Sequence, residues 1–171
     1  GTMTFHLSPI SAHVVAEAIG RLGALVTGRR TFDIVQGWDG RHPADVPVFV
    51  VTHTVPRGWA HREGSAMVFV TDGVESAIAQ AKAAAGDRDV VVGSASIAQQ
   101  CLNAGLLDEM RIDVAPVLLG GGVRLFDHLD VPVVLEGVDV VEAPGVTHLH
   151  YRVVKQERPP ETAAQAARAP A

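Results

Sequence analysis

Residues 89–126 read DVVVGSASIAQQCLNAGLLDEMRIDVAPVLLGGGVRLF, and this stretch decides the fold. It opens with an apolar β-branched run, Val90–Val92, and then passes through a Gly-Ser-Ala-Ser turn at 93–96. Apolar residues follow at helical spacing: Ile97, Cys101, Leu102 and Leu106. This order predicts a strand, a tight turn and a helix. After Gly105 a second strand is predicted over 109–118, and three glycines follow at 120–122, so we expect two glycine-rich turns where neighbouring strands end.

The turn at 93–96 has features of an anion site. Gly93 allows a ligand to approach the backbone closely, and the first free amides of the following helix point at whatever lies above the turn. A phosphate fits such a turn, although a plain connection between strand and helix is the more common use of this pattern. The dinucleotide fingerprint G-x-G-x-x-G is missing, so other segments must decide between these uses.

Composition indicates an ordinary globular chain. Of its 171 residues, 47% are hydrophobic and 19% are charged, and a chain of this length and composition can bury one hydrophobic core. We expect a single domain over 1–155 and a disordered tail over 156–171, where Pro, Ala, Glu and Gln occur without periodicity. A formal net charge of −5 argues against general affinity for nucleic acid or for an anionic membrane.

The single cysteine and the hydropathy pattern predict a cytoplasmic protein. Cys101 lies on the apolar side of its predicted helix, where we interpret it as a core residue rather than a nucleophile, and one cysteine cannot form an intramolecular disulfide. No apolar run approaches the ~20 residues that a membrane helix needs. The N-terminus does not show the pattern of a signal peptide.

Strands and helices alternate along the chain. We predict a short first strand at Thr4–Leu7, then a helix that Ser11 caps and that ends at Leu22. Strands follow at 24–27, 47–52 and 67–70, and a helix over 74–85 is expected to be capped by Thr71 or Asp72. Two long strands at 131–141 and 146–154 form a C-terminal hairpin around Pro144-Gly145. The fold class is therefore α/β, a mostly parallel sheet flanked by helices and finished by an antiparallel hairpin.

Three polar segments follow predicted strands. They are Gly28-Arg29-Arg30-Thr31, Thr52-His53 and Gly93-Ser94-Ala95-Ser96. Ligands of open α/β sheets bind beyond the carboxyl ends of the strands. We therefore expect these segments to converge on one anionic ligand.

Several side chains allow two interpretations. Trp38 lines a pocket or covers the edge of the core. Asp33 and Asp39 lie near the expected site, where a loop or capping role is favoured over acid–base catalysis, so no proton donor is assigned. His148 and His150 share one face of a strand, where solvent or a second subunit is favoured over metal, since a third ligand is not evident.

Six short motifs in this order resemble the dihydrofolate reductase-like family, in the branch that contains the riboflavin-biosynthesis reductase C-terminal domain. The motifs are Gly28-Arg29-Arg30-Thr31-Phe32, Val48–His53, Thr71-Asp72-Gly73, Gly93–Ala98, Gly105–Glu109 and Leu118–Gly122. The resemblance covers about residues 12–155. It implies a dihydrofolate reductase-like fold, NADPH as hydride donor, a small heterocyclic or carbonyl substrate, and a homodimer paired through the C-terminal strands.

The resemblance also implies roles for individual residues. Gly28, Arg29 and Thr31 match contacts to the cofactor phosphates, and Thr52 and His53 match contacts near the adenosine ribose phosphate. Gly93, Ser94, Ala95, Ser96 and Ile97 match the turn under the pyrophosphate. This chain departs from the family in two places. Ser94 replaces a second glycine, and the stretch from Thr4 to Ile10 lacks the Leu-Asp-Gly motif and long loop that follow the family's first strand.

Overall fold

The computed structural model describes residues 7–59 and 64–155 as a mixed α/β protein. Its helices are α1 (Pro9–Arg21), α2 (Arg29–Ile34), α3 (Val74–Ala85) and α4 (Ala95–Asn103), with a 3₁₀ turn at Gln36–Gly40. Its strands are β1 (Leu22–Gly28), β2 (Val48–Val51), β3 (Met67–Val70), β4 (Asp89–Val92), β5 (Glu109–Val114), β6 (Leu135–Ala143) and β7 (Val146–Val153). No helix within these two ranges is long and apolar enough to cross a membrane. The strand predicted at Thr4–Leu7 and the tail at 156–171 fall almost wholly outside the described residues.

The strands form two sheets. Four parallel strands take the order β3-β2-β1-β4, and three antiparallel strands take the order β5-β7-β6. The predicted parallel sheet and C-terminal hairpin are confirmed, and β5 adds a third strand to the hairpin. The expectation that β4 and β5 are neighbours is wrong, because the two strands belong to different sheets.

The core lies on both faces of the parallel sheet. β1 is buried along its whole length, which suits the continuous apolar sequence of a central parallel strand. One face packs against α3 and α4 through residues such as Val26, Ile78 and Cys101. The other face packs Leu25, Phe32 and Val50 with half-buried aromatic rings. Gly23 is required by this packing, since a Cβ there would lie 2.7 Å from the Cβ atoms of Ala85 and Arg88.

Two helix caps differ from prediction. Ser8, and not Ser11, caps α1, because the Ser8 side chain accepts a hydrogen bond from the Ser11 amide at 3.1 Å and Pro9 occupies the first turn. Ser11 is instead the one residue of α1 that is buried. Gly73 is the N-cap residue of α3 and offers no side-chain cap, so the predicted capping roles of Thr71 and Asp72 are wrong.

The second half of the chain is less regular than predicted. β5 ends at Val114 instead of continuing to Leu118, whose side chain is fully exposed. The glycines at 120–122 lie in an exposed irregular segment, and β6 begins at Leu135, not at Val131. Periodicity alone could not show that these apolar residues lack a partner strand.

Candidate functional site

The polar segments predicted to converge lie at one edge of the parallel sheet. Gly28 ends β1 and stands opposite Val51 of β2, so Thr52 follows directly beside it. The Gly93 amide, just after β4, donates a hydrogen bond of 2.9 Å to the Val26 carbonyl of β1. The carboxyl ends of β2, β1 and β4 therefore lie side by side, which is where open α/β sheets bind ligands.

The two turns at this edge touch each other. A Cβ built on Gly28 would lie 3.3 Å from Ser94 Oγ, 3.5 Å from Ile97 and 3.6 Å from Ser96 Oγ. Glycine at position 28 therefore leaves a narrow space between the end of β1 and the first turn of α4.

Ser94 provides a polar atom without a protein partner in this space. It is the N-cap residue of α4, but its hydroxyl makes no capping hydrogen bond. Ser94 Oγ is buried and, within the described part of the chain, has no hydrogen-bond partner; Thr27 Oγ1 is the other such hydroxyl. The free amides of a helix N-terminus and an unsatisfied hydroxyl together favour an anion.

Arg29 extends from the first residue of α2 towards the end of β2. Its Nε donates to both carboxylate oxygens of Asp33, at 2.8 and 2.9 Å, and its Nη1 donates to the Thr54 carbonyl at 3.4 Å. The side chain stays 38% exposed, so part of the guanidinium faces solvent. Arg30 is exposed and forms no ion pair with any residue that the structure describes. Of the two arginines, Arg29 is thus the one held at the strand ends.

The remaining predicted residues contribute unequally. Thr52 Oγ1 donates to the Thr54 carbonyl at 2.9 Å, which shapes the turn after β2, while His53 is exposed. Thr31 and Ala95 are half-buried, and Ser96 is exposed on the first turn of α4. Ile97 is buried in the core, so only its backbone can take part in a site.

The structure resolves the two interpretations of Trp38. The ring packs against the aromatic side of the core and lies edge-on to His42 with centroids 4.8 Å apart. Burial lowers the pKa of His42 and so favours the neutral form of this imidazole. Trp38 therefore covers the edge of the core. Of the two carboxylates near the site, Asp33 is the ion-pair partner of Arg29.

Sequence reasoning missed a hydrogen-bonded chain through His148. Its Nδ1 lies 2.7 Å from Asp113 Oδ1, and its Nε2 lies 3.0 Å from Ser11 Oγ. His148 is only 7% exposed, so the expectation of a solvent-facing or subunit-facing residue is wrong for it. His150 instead pairs with Glu109 at 3.0 Å. No group of three or more candidate metal ligands occurs in the ranges 7–59 and 64–155.

Asp113, His148 and Ser11 are hydrogen-bonded in the order of a serine hydrolase triad, but the serine is not accessible to a substrate. Ser11 is 1% exposed, and its oxygen also accepts a hydrogen bond of 3.2 Å from Ser8. A nucleophile must reach substrate, which Ser11 cannot do in this position. These hydrogen bonds therefore connect α1 to the antiparallel sheet. In the sequence these residues are recognisable only as polar side chains, because Ser11 and His148 are 137 positions apart and their pairing leaves no local pattern.

Comparison with known proteins gives one family and a consistent fold. The profile of the RibD C-terminal domain matches residues 7–150. A candidate riboflavin biosynthesis protein from Shewanella sp. PV-4 is 28% identical, with a TM-score of 0.69 over 82% of this chain and 78% of that one. No curated protein matches the chain.

Two further structures share the fold at lower identity. RibD from Acinetobacter baumannii is 17% identical with a TM-score of 0.62, and this chain, of which 89% is covered, spans 52% of its length. Dihydrofolate reductase from Enterococcus faecalis, solved with NADP(H), is 20% identical with a TM-score of 0.55 over 88% of this chain and 84% of that one.

Proposed function

The chain belongs to the RibD C-terminal domain family, and from this membership we propose that it is a reductase that uses NADPH. Its substrate is a small heterocycle, of pterin or pyrimidine type, or a carbonyl compound. The nicotinamide supplies the hydride chemistry when it is bound. The protein's own residues bind the cofactor, orient it and exclude water.

The observation that carries this proposal is the space between Gly28 and the first turn of α4. Ser94 Oγ lies there without a partner, and a Cβ at position 28 would fill the space. We place the pyrophosphate against the backbone of Gly93–Ile97, with the Ser94 hydroxyl as a donor. Replacement of the family's glycine by serine is compatible with this use, because a hydroxyl can donate to a phosphate oxygen.

Arg29 is the residue proposed to meet the adenosine ribose phosphate. Guanidinium and phosphate form paired, charge-assisted hydrogen bonds. Asp33 accepts a hydrogen bond from Arg29 Nε, and Arg29 Nη1 donates to the Thr54 carbonyl, so the side chain is held beside the turn of Thr52, His53 and Thr54 that follows β2. The exposed face of the guanidinium is then available to the phosphate. Gly28 and Thr31 complete the phosphate-binding turn.

A titration with NADPH tests the proposal directly. The chain has two tryptophans, and the Trp59 ring lies 4.8 Å from that of Phe32 in α2, so binding at this edge should quench tryptophan fluorescence. Adding dihydrofolate or an aminopyrimidine should then cause oxidation of NADPH. Quenching without oxidation of NADPH by either substrate class would favour the alternative function, a nucleotide-binding or scaffold domain that kept the fold.

The domain arrangement and the oligomeric state are further proposals. We propose one domain over 1–155 in a cytoplasmic protein. We also propose a homodimer formed through the outer strand of the antiparallel sheet. On β6, Val138 and Val140 are 46% and 59% exposed, and a strand edge with exposed valines invites pairing.

A further inference from the structure

A cavity lies between α1 and the antiparallel sheet. Its volume is about 870 Å³, and its walls come from α1 on one side and from β5, β6 and β7 on the other. Polar contacts hold α1 near its two ends, Ser11 to His148 at 3.0 Å and Arg21 to Asp89 at 2.9 Å. Between these contacts the helix and the sheet stay apart. Sites that bind small molecules typically have a volume in this range.

The sheet side of the cavity carries an unpaired arginine. Glu109, Arg111 and Asp113 alternate along β5, so their side chains share one face of the sheet. Histidines of β7 engage both carboxylates, because Asp113 Oδ1 lies 2.7 Å from His148 Nδ1 and Glu109 Oε2 lies 3.0 Å from His150 Nε2. The Arg111 side chain lines the cavity and makes no hydrogen bond or ion pair within the described part of the chain. Its guanidinium is therefore open to an external anion.

The helix side of the cavity carries an unpaired carboxylate. Glu17 lies in the middle of α1, and its side chain makes no hydrogen bond or ion pair with a residue that the structure describes. Its charge is the smallest of the influences that raise the pKa of Arg21, and the hydrogen bond of Arg21 to Asp89 is the largest. Arg111 also borders the cleft between β4 and β5, but Glu17 does not line that cleft. The free guanidinium and the free carboxylate therefore share only the cavity.

Apolar side chains line much of the remaining wall. Val14, Val15 and Ala18 come from α1, Val141 comes from β6, and Leu149 comes from β7; all five are half-buried. Protein interiors are normally close-packed, so an apolar helix face that stands off a sheet leaves surface that a ligand can bury. Burial of that surface favours a ligand with an apolar body.

We propose that this cavity is a second binding site, which takes an α-amino acid with a large apolar side chain. The carboxylate of the ligand binds Arg111, since guanidinium and carboxylate form paired, charge-assisted hydrogen bonds. The ammonium of the ligand binds Glu17, and its side chain packs against the apolar face of α1. A simple anion would lie beside Glu17 and a simple cation beside Arg111, and each would meet a like charge. A ligand that carries both charges avoids this repulsion.

The amino-acid site is separate from the proposed cofactor site. Gly28, Arg29, Ser94 and the other residues assigned to NADPH do not line the cavity under α1. The inference rests on the unpaired charges and the apolar walls of that cavity. It holds whether or not NADPH binds, and its failure would leave the proposed reductase function unaffected.

Equilibrium dialysis of the full chain, without NADPH, tests the inference with matched probes. We expect L-phenylalanine and L-leucine to bind. Two analogues of phenylalanine should bind at least about tenfold more weakly, 3-phenylpropionate because it lacks the ammonium and phenethylamine because it lacks the carboxylate. The three aromatic probes share their apolar body, so the comparison isolates the two charges. Equal binding of the three, or binding of neither amino acid, would overturn the proposal.

Two variants assign the binding to this cavity. Arg111→Gln and Glu17→Gln each remove one charge from an exposed side chain, and each should raise the Kd for phenylalanine at least about tenfold. Arg111→Gln should leave phenethylamine binding unchanged, and Glu17→Gln should leave 3-phenylpropionate binding unchanged, because each analogue already lacks the matching charge.

Arg152→Gln is the matched control for these variants. Arg152 lies on the same face of the sheet as Arg111, is bound to Glu136 at 3.0 Å, and does not line the cavity, so its loss should not change the Kd for phenylalanine. Thermal unfolding without ligand checks that each variant is folded. Phenylalanine binding that survives in both Arg111→Gln and Glu17→Gln would place the amino acid elsewhere and overturn the proposal.

Discussion

Gly28 ends β1 and Ser94 follows β4, the neighbouring strand of the parallel sheet, and a Cβ on Gly28 would come 3.3 Å from Ser94 Oγ. The contact joins the turn after β1 to the turn before α4. The size of the side chain at position 28 and the orientation of the Ser94 hydroxyl therefore both determine how much room is left between these two turns.

Gly28→Ala should therefore weaken NADPH binding while the protein stays folded. The added methyl group narrows the space between the two turns, and we expect the Kd to rise by tenfold or more, about 1.4 kcal/mol. Fluorescence titration measures the Kd, and thermal unfolding checks the fold. Gly121→Ala is the matched control, since a Cβ there meets nothing within 4 Å. An unchanged Kd for Gly28→Ala would remove this space from the cofactor site.

Arg29→Ala should weaken NADPH by roughly 1.5–3 kcal/mol, the range for a hydrogen bond to a charged group, and leave NADH nearly unchanged. The reason is that the two cofactors differ by the phosphate on the adenosine ribose. Paired titrations with both cofactors measure the difference, and Arg30→Ala is the control. Equal losses for NADPH and NADH would place Arg29 on the shared pyrophosphate instead.

His148→Ala should destabilise the protein by about 1–3 kcal/mol, because it leaves Ser11 Oγ and Asp113 without their shared partner. Urea unfolding measures the free energy of unfolding. His150→Ala removes a pair whose Glu109 side chain is 48% exposed, and it should cost about 0–1 kcal/mol. A larger loss in the free energy of unfolding for His150→Ala than for His148→Ala would contradict the structural role assigned to His148.

The thiol of Cys101 should react slowly with a disulfide reagent at pH 8. Burial, with a smaller effect from Glu75, raises its pKa to about 11, so that the thiolate is scarce in the folded protein. The same shift predicts a pH dependence of stability. The unfolded thiol ionises near its ordinary pKa, so the stabilisation is complete below that value and declines as pH rises towards 11. A rapid reaction of the native protein with the disulfide reagent at pH 8 would contradict the raised pKa of Cys101.

The homodimer predicts a mass of twice 18.0 kDa by light scattering. Val140→Asp, on the exposed face of β6, should shift the protein to the monomer, because a carboxylate would be buried at the interface. Leu118→Asp provides an exposed control of similar chemistry. A wild-type mass near 18.0 kDa would reject the dimer.

Much of the parallel half follows from the sequence. β1, β2, β3 and β4 are short apolar runs bounded by turn residues, and α3 follows its periodicity within the predicted bounds. Such signals are local, because a buried strand needs apolar residues along its own length and a helix needs them on one face. The meeting of the turns after β1 and β4 follows as well, since parallel strands place their carboxyl ends at one edge.

Only the tertiary structure decided which distant groups meet and which strands pair with each other within the described residues. The tie from Ser11 to His148 joins residues 137 positions apart, and the contact of Arg29 with the Thr54 carbonyl spans 25. No periodicity reports such partners, because hydrogen-bond geometry depends on how whole elements pack. The order of the sequence indicates β4 and β5 as neighbouring strands, because they follow one another along the chain. The structure separates them by a cleft, because pairing depends on backbone hydrogen bonds whose partners lie elsewhere in the chain.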